Sequence, residues 1–347
     1  MRIAVVRNRE NTGIIAPFGR PSPEVYGKQS VQRVIDALRE AGHEVGVFEG
    51  DMTMLPGLKD FLAPDARTGR PGGMAFNLSY GVQGDCRYTH VPAMLEMAGI
   101  PYTGSNPLGH ALALDKVITK ILMVQAGVPT PAFAVLGGPG GDASGLRFPL
   151  VVKPRHESSS FGLKLVHNRA ELDEGVRAIV ETYQQEALVE EYIAGREIAV
   201  GILGSTPGIC LPLVEIDFTG RHEAMMTHAD KVHKSEQEPT RVCPAPVSEQ
   251  LADRLRDLSL RTFAACHLRD YARVDIRVDE RGEPFVLEIN SMASLGWGGA
   301  YVMAARQAGF SFPELVAAIV NSAHRRYFGT TAPLLVGECV TVDARAS

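Results

Sequence analysis

The sequence predicts an α/β fold with more than one lobe, and three observations support this prediction. Short β-rich runs alternate with amphipathic helical stretches along residues 1–115, which is typical of a parallel sheet with crossover helices. The 347 residues are enough for two or three lobes with cores of their own. Hydrophobic residues make up 45% of the chain and charged residues 22%, a composition typical of globular proteins.

Taken in order, the elements divide the chain into three lobes and a tail. The first lobe (1–115) is predicted to have strands at 3–6, 44–48 and 74–78 and helices at 28–41 and 90–98. The second lobe (116–205) is predicted to have helices at 116–126 and 170–183, and strands at 149–153, 164–166, 187–191 and 197–203, with a Gly-rich loop at 137–146. In the third lobe (206–328) we expect a strand from 211, a polar loop at 218–241, a helix at 248–266, strands at 274–278 and 283–289, and one helix over 301–323. Residues 329–347 have no clear pattern and are predicted to be a tail.

Composition excludes several classes of function. A formal charge of −5 without a basic block argues against nucleic acid or an anionic membrane as a partner. We find no apolar run near the roughly 20 residues that span a bilayer, and the first residues indicate a strand rather than a signal peptide. The five dispersed cysteines are Cys86, Cys210, Cys243, Cys266 and Cys339. Their odd number and spacing favour a reducing cytoplasm with neither a disulfide framework nor a zinc site.

The strongest chemical signal lies in two predicted strands near the C-terminus. Asp275 is two residues after Arg273, and Asn290 is two residues after Glu288, so each pair projects from one face of its strand. Adjacent antiparallel strands would bring Asp275, Glu288 and Asn290 to one point, where their oxygens suit Mg²⁺. The alternative is an ordinary solvent-facing strand edge, which the apolar residues between them argue against.

Two weaker signals precede it. Lys153 ends an apolar strand and is followed by a turn of small residues, which suits nucleotide phosphates, although a Ser-rich turn without function is the commoner case. Glu190 and Glu197 lie seven residues apart across a turn, and their carboxylates could accept from an adenine amino group and ribose hydroxyls. Exposed glutamate pairs are commonplace, so this second signal is weak alone.

These segments, in this order and with Lys116 upstream, resemble the ATP-grasp superfamily and, within it, the D-alanine–D-alanine ligases. Residues 101–105, 113–116, 152–154 and 303–309 are also similar to segments of that family. The resemblance covers most of the chain. It implies a three-lobed ATP-grasp fold with an N-terminal parallel-sheet domain, the pre-ATP-grasp domain, ahead of the two ATP-grasp lobes.

The resemblance also implies roles for individual residues. In the nucleotide site, Lys116 and Lys153 would contact the phosphates of ATP, and the loop that closes over them would include Glu157, Ser159, Ser160 and Gly162. Glu190 would contact adenine together with the backbone of Glu191 and Ile193. Glu197 would bind the ribose. The metal site would comprise Asp275, Glu288 and Asn290 on two Mg²⁺ ions, with Mn²⁺ as an alternative. Arg273 and a backbone N–H near Ser294 would stabilise the tetrahedral intermediate, and Lys231 would lie over the γ-phosphate.

The amino-acid sites depart from the family pattern. Glu24 is placed to hold an ammonium group, or it is an acid at a helix start. Tyr80 replaces a histidine, Gly299 replaces a serine that grips the second substrate's carboxylate and joins a Glu–Tyr–Ser network, and Val232 replaces the loop tyrosine.

Three further residues are candidates for the substrate pocket. Trp297 either walls the pocket or anchors its loop. Asp85 and Arg87 offer polar groups, with Arg87 as a receptor for a carboxylate, although both also fit an ordinary surface turn.

We therefore expect a cytoplasmic, ATP-dependent carboxylate–amine ligase similar to D-alanine–D-alanine ligase, with small amino-acid-like substrates and a homodimeric state. A second hypothesis keeps this chemistry but joins a different amino acid or a specialised metabolite. A third is a nucleotide-binding regulatory protein without turnover, which the full set of lysines and metal ligands disfavours.

Overall fold

The computed structural model of the chain describes residues 1–8, 21–22, 24–205, 208–221, 223–231 and 238–329. Three β-sheets organise these residues. Among them, no helix is long and apolar enough to span a membrane.

The N-terminal sheet has the order β2-β1-β3, and both pairings are parallel. The elements of this part of the chain are β1 Arg2–Arg7, α1 Lys28–Glu40, β2 Glu44–Glu49, α2 Met54–Phe61, β3 Gly73–Leu78, a 3₁₀ turn Arg87–Thr89, α3 His90–Met97 and α4 Pro107–Leu114, followed by α5 Lys116–Gln125. The central strand β1 is buried from Ile3 to Val6, because helices cover both faces of such a sheet. The predicted parallel α/β lobe is confirmed.

The central lobe is a four-stranded antiparallel sheet of order β4-β7-β5-β6 with one helix packed on it. Its elements are β4 Phe133–Leu136, β5 Leu150–Pro154, β6 Lys164–Val166, α6 Arg169–Tyr183 and β7 Ala187–Glu191. The Asn168 side chain caps α6 by accepting from the Glu171 N–H at 3.0 Å.

The third sheet has six strands in the described residues, in the order β11-β10-β8-β12-β13 with β9 paired to β8. Its elements and those that follow are β8 Arg196–Leu203, β9 Ile209–Cys210, β10 Val214–Asp217, α7 His228–Lys231, β11 Thr240–Val242, α8 Glu249–Ala265, β12 Tyr271–Val278, β13 Pro284–Asn290, α9 Ala300–Gln307 and α10 Phe312–Phe328. Strand β8 pairs antiparallel with β12, so it belongs to this sheet although we predicted it in the central lobe. The sheets therefore change between Glu191 and Arg196, not near residue 205.

The single helix predicted over 301–323 is wrong: two helices, α9 and α10, cover this region. Gly309 has φ +92°, which a helix cannot continue through and which glycine adopts without strain. Ser311 then starts α10 with a capping box, in which it and Glu314 bond each other's backbone N–H groups. Apolar periodicity runs through both helices, and the break depends on these local residues.

Asp270 joins the first and third lobes. It is fully buried and accepts from the Gly104 N–H at 2.8 Å, from Ser205 and Ser322 hydroxyls at 2.9 Å, and from Arg326 at 2.7 Å. A buried carboxylate is tolerated only when it is paired and hydrogen-bonded. Asp270 therefore links Gly104 of the N-terminal lobe to Ser322 and Arg326 of α10.

We expect Asp270→Ala to lower the free energy of unfolding by about 3–5 kcal/mol, because it leaves Arg326 without its buried partner and several donors unpaired. Urea unfolding followed by circular dichroism measures this. Glu283→Ala is the matched control, since it breaks an exposed pair with Arg254 and should cost at most about 1 kcal/mol. Equal losses in the two variants would contradict the role given to Asp270.

Candidate active site

The strand pair β12 and β13 brings together the residues predicted to bind metal. Their register sets Asp275 opposite Glu288 and Arg273 opposite Asn290. Arg273 donates to both carboxylate oxygens of Asp275 at 2.7 Å, and the Asn290 amide donates to Asp275 at 3.0 Å. Burial disfavours the charge of Arg273, but Asp275 and Glu288 outweigh this effect and raise its pKa. The predicted convergence of Asp275, Glu288 and Asn290 is present, and Arg273 lies with them.

The chemistry of this donor set fits Mg²⁺. Two carboxylates and one amide are hard oxygen ligands, and Mg²⁺ keeps further positions for water and phosphate. In the described part of the chain, no three His, Cys, Asp or Glu side chains form a metal-binding group. The set therefore offers three ligands only when the Asn290 amide is included.

Two lysines share the buried carboxylate of Glu190. Lys120 and Lys153 form ion pairs with it, and Lys120 also donates to Thr130 Oγ1 at 2.6 Å. Burial opposes ionisation of Glu190, but the two lysines prevail and lower its pKa. Burial lowers the pKa of Lys120 to about 8, whereas at Lys153 the neighbouring carboxylates outweigh burial and raise the pKa. The Glu190 carboxylate thus positions Lys153. The contact of Glu190 with adenine stays a prediction.

Lys116 lies at the first residue of α5, where its ammonium donates to the backbone carbonyl of Glu157. Burial lowers its pKa to about 8, and Glu288 opposes that shift. Asp115 caps the helix by accepting from two backbone N–H groups, and Arg155 holds Asp115 with bonds of 2.7 and 2.8 Å. The helix start therefore fixes this lysine beside the end of β5.

The loop of residues 157–163, which follows β5, has an unusual backbone. Ser159 and Ser160 have φ +53° and +56°, a left-handed conformation that is costly for residues with a side chain. Gly162 has φ +67°, and a Cβ there would lie 2.7 Å from the Tyr183 ring. Phe161 stacks on His228 of α7 with ring centroids 4.1 Å apart. The loop is therefore held in one shape against the third lobe.

Glu24 anchors the same loop to the N-terminal lobe. Its Oε1 accepts from the hydroxyls of Ser158 and Ser159, the latter at 2.9 Å, and its Oε2 accepts from Tyr88 at 2.6 Å and Arg87 at 3.4 Å. Four donors account for the usual capacity of a carboxylate. An ammonium group predicted to bind Glu24 would have to displace one of them.

Arg87, a candidate receptor for a substrate carboxylate, is already paired with carboxylates of the protein. Only 2% of its side chain is exposed, and it donates to Glu157 at 3.1 Å, to Glu24 and to the His156 carbonyl at 3.0 Å. The two glutamates neutralise its charge inside the protein. Arg87 therefore joins the N-terminal lobe to the 157–163 loop.

The residues predicted at adenine and ribose lie where the central and third sheets meet. The Glu191 N–H donates to the Ala132 carbonyl at 2.9 Å, and the Ile193 carbonyl accepts from Arg277 at 3.0 Å. Arg277 also donates to Glu197 at 3.2 Å. Some of the groups predicted to contact the nucleotide are therefore already hydrogen-bonded within the protein. Arg277 joins two of them, the Ile193 carbonyl and the Glu197 carboxylate.

Tyr80 and Asp85 have different surroundings. Tyr80 stacks on Tyr26 with parallel rings 5.0 Å apart and also packs on Tyr88. Burial, followed by the neighbouring tyrosines, raises its pKa well above the usual value, so it stays protonated. Asp85 is 65% exposed and lies 3.8 Å from His156. Tyr80 thus packs, partly buried, against the core, and Asp85 lies at the surface.

The loop after β13 does not place Trp297 in a pocket wall. Trp297 is 69% exposed and lies beside two guanidinium groups, those of Arg33 at 4.5 Å and Arg306 at 5.5 Å from the ring centre. This arrangement agrees with the alternative of a loop anchor. Ser294 is exposed, and Gly299 is the N-cap residue of α9.

Two predicted positions fall at the edge of the described residues. Lys231 is the last residue of α7, and its side chain lies outside the described part. Val232 lies outside it entirely.

A cavity of about 30 Å³ lies among the predicted site residues. Its lining includes Tyr88, Lys116, Ser158, Glu288, Asn290 and Ser291. This volume holds a water molecule or two, and a nucleotide needs far more space. This cavity alone therefore does not hold a nucleotide.

Three residues of this site were absent from the sequence prediction. Lys120 lies one helical turn after Lys116, and Arg277 lies two strand residues after Asp275, so helix and strand periods could have indicated them. The contact of Tyr88 with Glu24 joins residues 64 apart, and no local pattern indicates it.

Comparison with known proteins agrees with this geometry. A sequence model of the D-ala D-ala ligase C-terminus matches residues 122–321. The D-alanine–D-alanine ligase of Desulforudis audaxviator is 36% identical over 75% of this chain and 85% of its own length. The uncharacterized protein y4sG of Sinorhizobium fredii is 52% identical over 95% of this chain and 98% of its own.

Solved structures agree on the fold. The D-alanine–D-alanine ligase of Bacillus anthracis, solved in complex with ATP, superimposes with a TM-score of 0.72 and 26% sequence identity. The match covers 94% of this chain and 98% of that one. The chain therefore belongs to the D-alanine–D-alanine ligase family of ATP-grasp ligases.

Proposed function

We propose that this protein uses ATP to activate a carboxylate as an acyl phosphate and then joins the acyl group to an amine. The observation that carries the proposal is the strand pair that sets Arg273, Asp275, Glu288 and Asn290 together in a member of this ligase family. Two of the three lysines predicted to meet phosphate, Lys116 and Lys153, lie close enough to this cluster for Glu288 to act on them electrostatically. The Bacillus anthracis relative solved with ATP supports the nucleotide.

The reaction has two steps. A carboxylate oxygen of the first substrate attacks the γ-phosphorus of ATP, and the bond to ADP breaks. The amine nitrogen of the second substrate then attacks the acyl carbon, loses a proton, and inorganic phosphate leaves. Lys116 and Lys153 would neutralise the phosphate oxygens, and Arg273 would stabilise the negative charge of the tetrahedral intermediate.

Asp275, Glu288 and Asn290 would hold Mg²⁺, with two ions as the expected number. Bound there, Mg²⁺ would offset the charge of the phosphates and position them. In the described arrangement Arg273 and Asn290 occupy the Asp275 carboxylate. Loading would therefore require Asp275 to exchange at least one of these partners.

The identity of the two substrates is a separate proposal. D-Alanine on both sides is the first candidate, because the ligases that match this chain carry that name. A different amino acid or a specialised amine is the second, favoured by Tyr80 and Gly299 at positions where the family has a histidine and a serine. The buried ion pairs of Arg87 also favour the second candidate. They occupy the guanidinium that we expected to bind a substrate carboxylate in place of the missing serine.

A panel of D- and L-amino acids, followed by ADP release and by mass spectrometry of the product, tests both candidates. We expect amide formation with at least one acid–amine pair. Formation of D-alanyl-D-alanine would support the first candidate, and products from other amines alone would support the second. ATP binding without ADP release for any acid, even with hydroxylamine as acceptor, would overturn the proposed ligase activity and favour a regulatory protein.

We expect Arg273→Ala to lower kcat by roughly 10²–10³ with a small change in the KM for ATP, because the guanidinium acts on charge that develops in the transition state. Steady-state kinetics on the best substrate pair measures this. Arg254→Ala, which breaks only an exposed pair with Glu283, is the control and should leave kcat unchanged. Normal ligation by Arg273→Ala would contradict its assignment.

The affinity for ATP should fall as the pH rises above about 8. Burial lowers the pKa of Lys116 to about 8, so above this pH the free protein loses the positive charge that attracts phosphate. For one required proton, Kd should rise by up to about tenfold per pH unit. Isothermal titration calorimetry between pH 7 and 10 measures this. Lys116→Arg should give a much flatter profile, because arginine stays charged; parallel profiles would exclude Lys116 as the titrating group.

A further inference from the structure

Tyr88 lies where the N-terminal lobe, the 157–163 loop and the end of β13 meet. Its ring packs on Tyr80 with centroids 5.3 Å apart and edge-on against His110 at 6.3 Å. His110 in turn contacts the Ser291 hydroxyl at 2.8 Å, next to the metal-site strand. Burial lowers the pKa of His110 to about 4, so the imidazole is neutral near pH 7 and adds no charge here. The ring of Tyr88 is therefore held in place independently of its hydroxyl.

The hydroxyl of Tyr88 completes a closed set of hydrogen bonds. It donates to Glu24 Oε2 at 2.6 Å and lies 3.1 Å from Ser158 Oγ, while Ser158 itself donates to Glu24 Oε1. Ser159 bonds the same oxygen at 2.9 Å. The phenol thus supports the Glu24 carboxylate that holds Ser158 and Ser159, and it adds its own contact to Ser158.

Removing this hydroxyl would loosen Glu24. Its Oε2 would retain Arg87, at 3.4 Å the longer of its two contacts. Hydrogen bonds to charged groups are among the stronger ones, and a buried acceptor that loses its main donor is costly. Because Glu24 holds Ser158 and Ser159, the loop would lose part of its attachment.

We propose that Tyr88 is a positioning residue whose hydroxyl, through Glu24, locks the 157–163 loop over the reaction site. The cavity that Tyr88 lines has room for only a water molecule or two, so a firmly held loop restricts water. The catalytic consequence rests on the proposed function, since water that attacks the acyl phosphate releases the free acid and phosphate without an amide. The attachment of the loop does not rest on it.

The first experiment compares Tyr88→Phe with Tyr102→Phe by hydrogen exchange of the amides in residues 157–163, without ATP. Tyr102 is a matched control: its buried ring also carries a hydroxyl that donates to a carboxylate, Glu96 at 2.7 Å, away from this loop. Tyr88→Phe retains the ring packing, and we expect exchange in the loop to accelerate roughly tenfold or more. Tyr102→Phe should leave the loop unchanged. Equal exchange in both variants would overturn the proposal.

The second experiment uses the substrate pair found by the panel. We expect Tyr88→Phe to lower kcat with little change in the KM for ATP, and to lower the amount of amide formed per phosphate released. Tyr102→Phe should show the wild-type ratio. A wild-type ratio in Tyr88→Phe would overturn the catalytic part. If Tyr88→Phe fails to fold, Ser158→Ala removes the other side of the same set and should give the same faster exchange.

These two readouts separate the possible failures. Hydrogen exchange requires no turnover, so a protein without ligase activity would refute the proposed function and leave the attachment of the loop testable. Unchanged exchange in an active ligase would refute only the role of Tyr88.

Discussion

The antiparallel register of β12 and β13 is the constraint on which the reaction site depends. It sets Asp275 opposite Glu288 and Arg273 opposite Asn290, with a bulge directly after Asp275. A shift of one residue would turn these side chains to the opposite face, so the surrounding apolar residues that bury the sheet also fix the site. Val274 and Ile289, which alternate with the polar residues, are buried in the core of the third lobe.

Charge balance is the second requirement, because the site holds more ionic groups than an interior tolerates unpaired. Glu190 balances Lys120 and Lys153, and Asp275 balances Arg273. Of the lysines predicted to meet phosphate, Lys153 thus has a carboxylate partner, whereas Lys116 donates to the backbone carbonyl of Glu157. A nucleoside triphosphate would compete with the carboxylates of Glu190 and Asp275 for these cations. Binding of the nucleotide and rearrangement of the ion pairs are therefore coupled.

Much of this site could be predicted because its strongest signals are local. Alternation within the strands predicted that Asp275 and Asn290 face the metal site. The position of Lys153 at the end of an apolar strand indicated a role at the nucleotide phosphates. The same periodicity that found helices near the C-terminus missed their break, since it depends on the backbone of Gly309 and the cap of Ser311. Local pattern grouped β8 with the central lobe and could not indicate its pairing with β12, because β12 lies about 75 residues further along the chain.

The residues around the amino-acid sites were harder to predict for a physical reason. Arg87 has an ordinary surface-turn sequence around it, yet two distant glutamates bury and neutralise it. A guanidinium in that state cannot also bind a substrate carboxylate without leaving a buried glutamate unpaired. In the described arrangement a substrate carboxylate would therefore have to displace Glu24 or Glu157 from Arg87. Within the proposed function, this cost favours the second candidate, in which Tyr80 and Gly299 accompany a different substrate, over a carboxylate site relocated to Arg87.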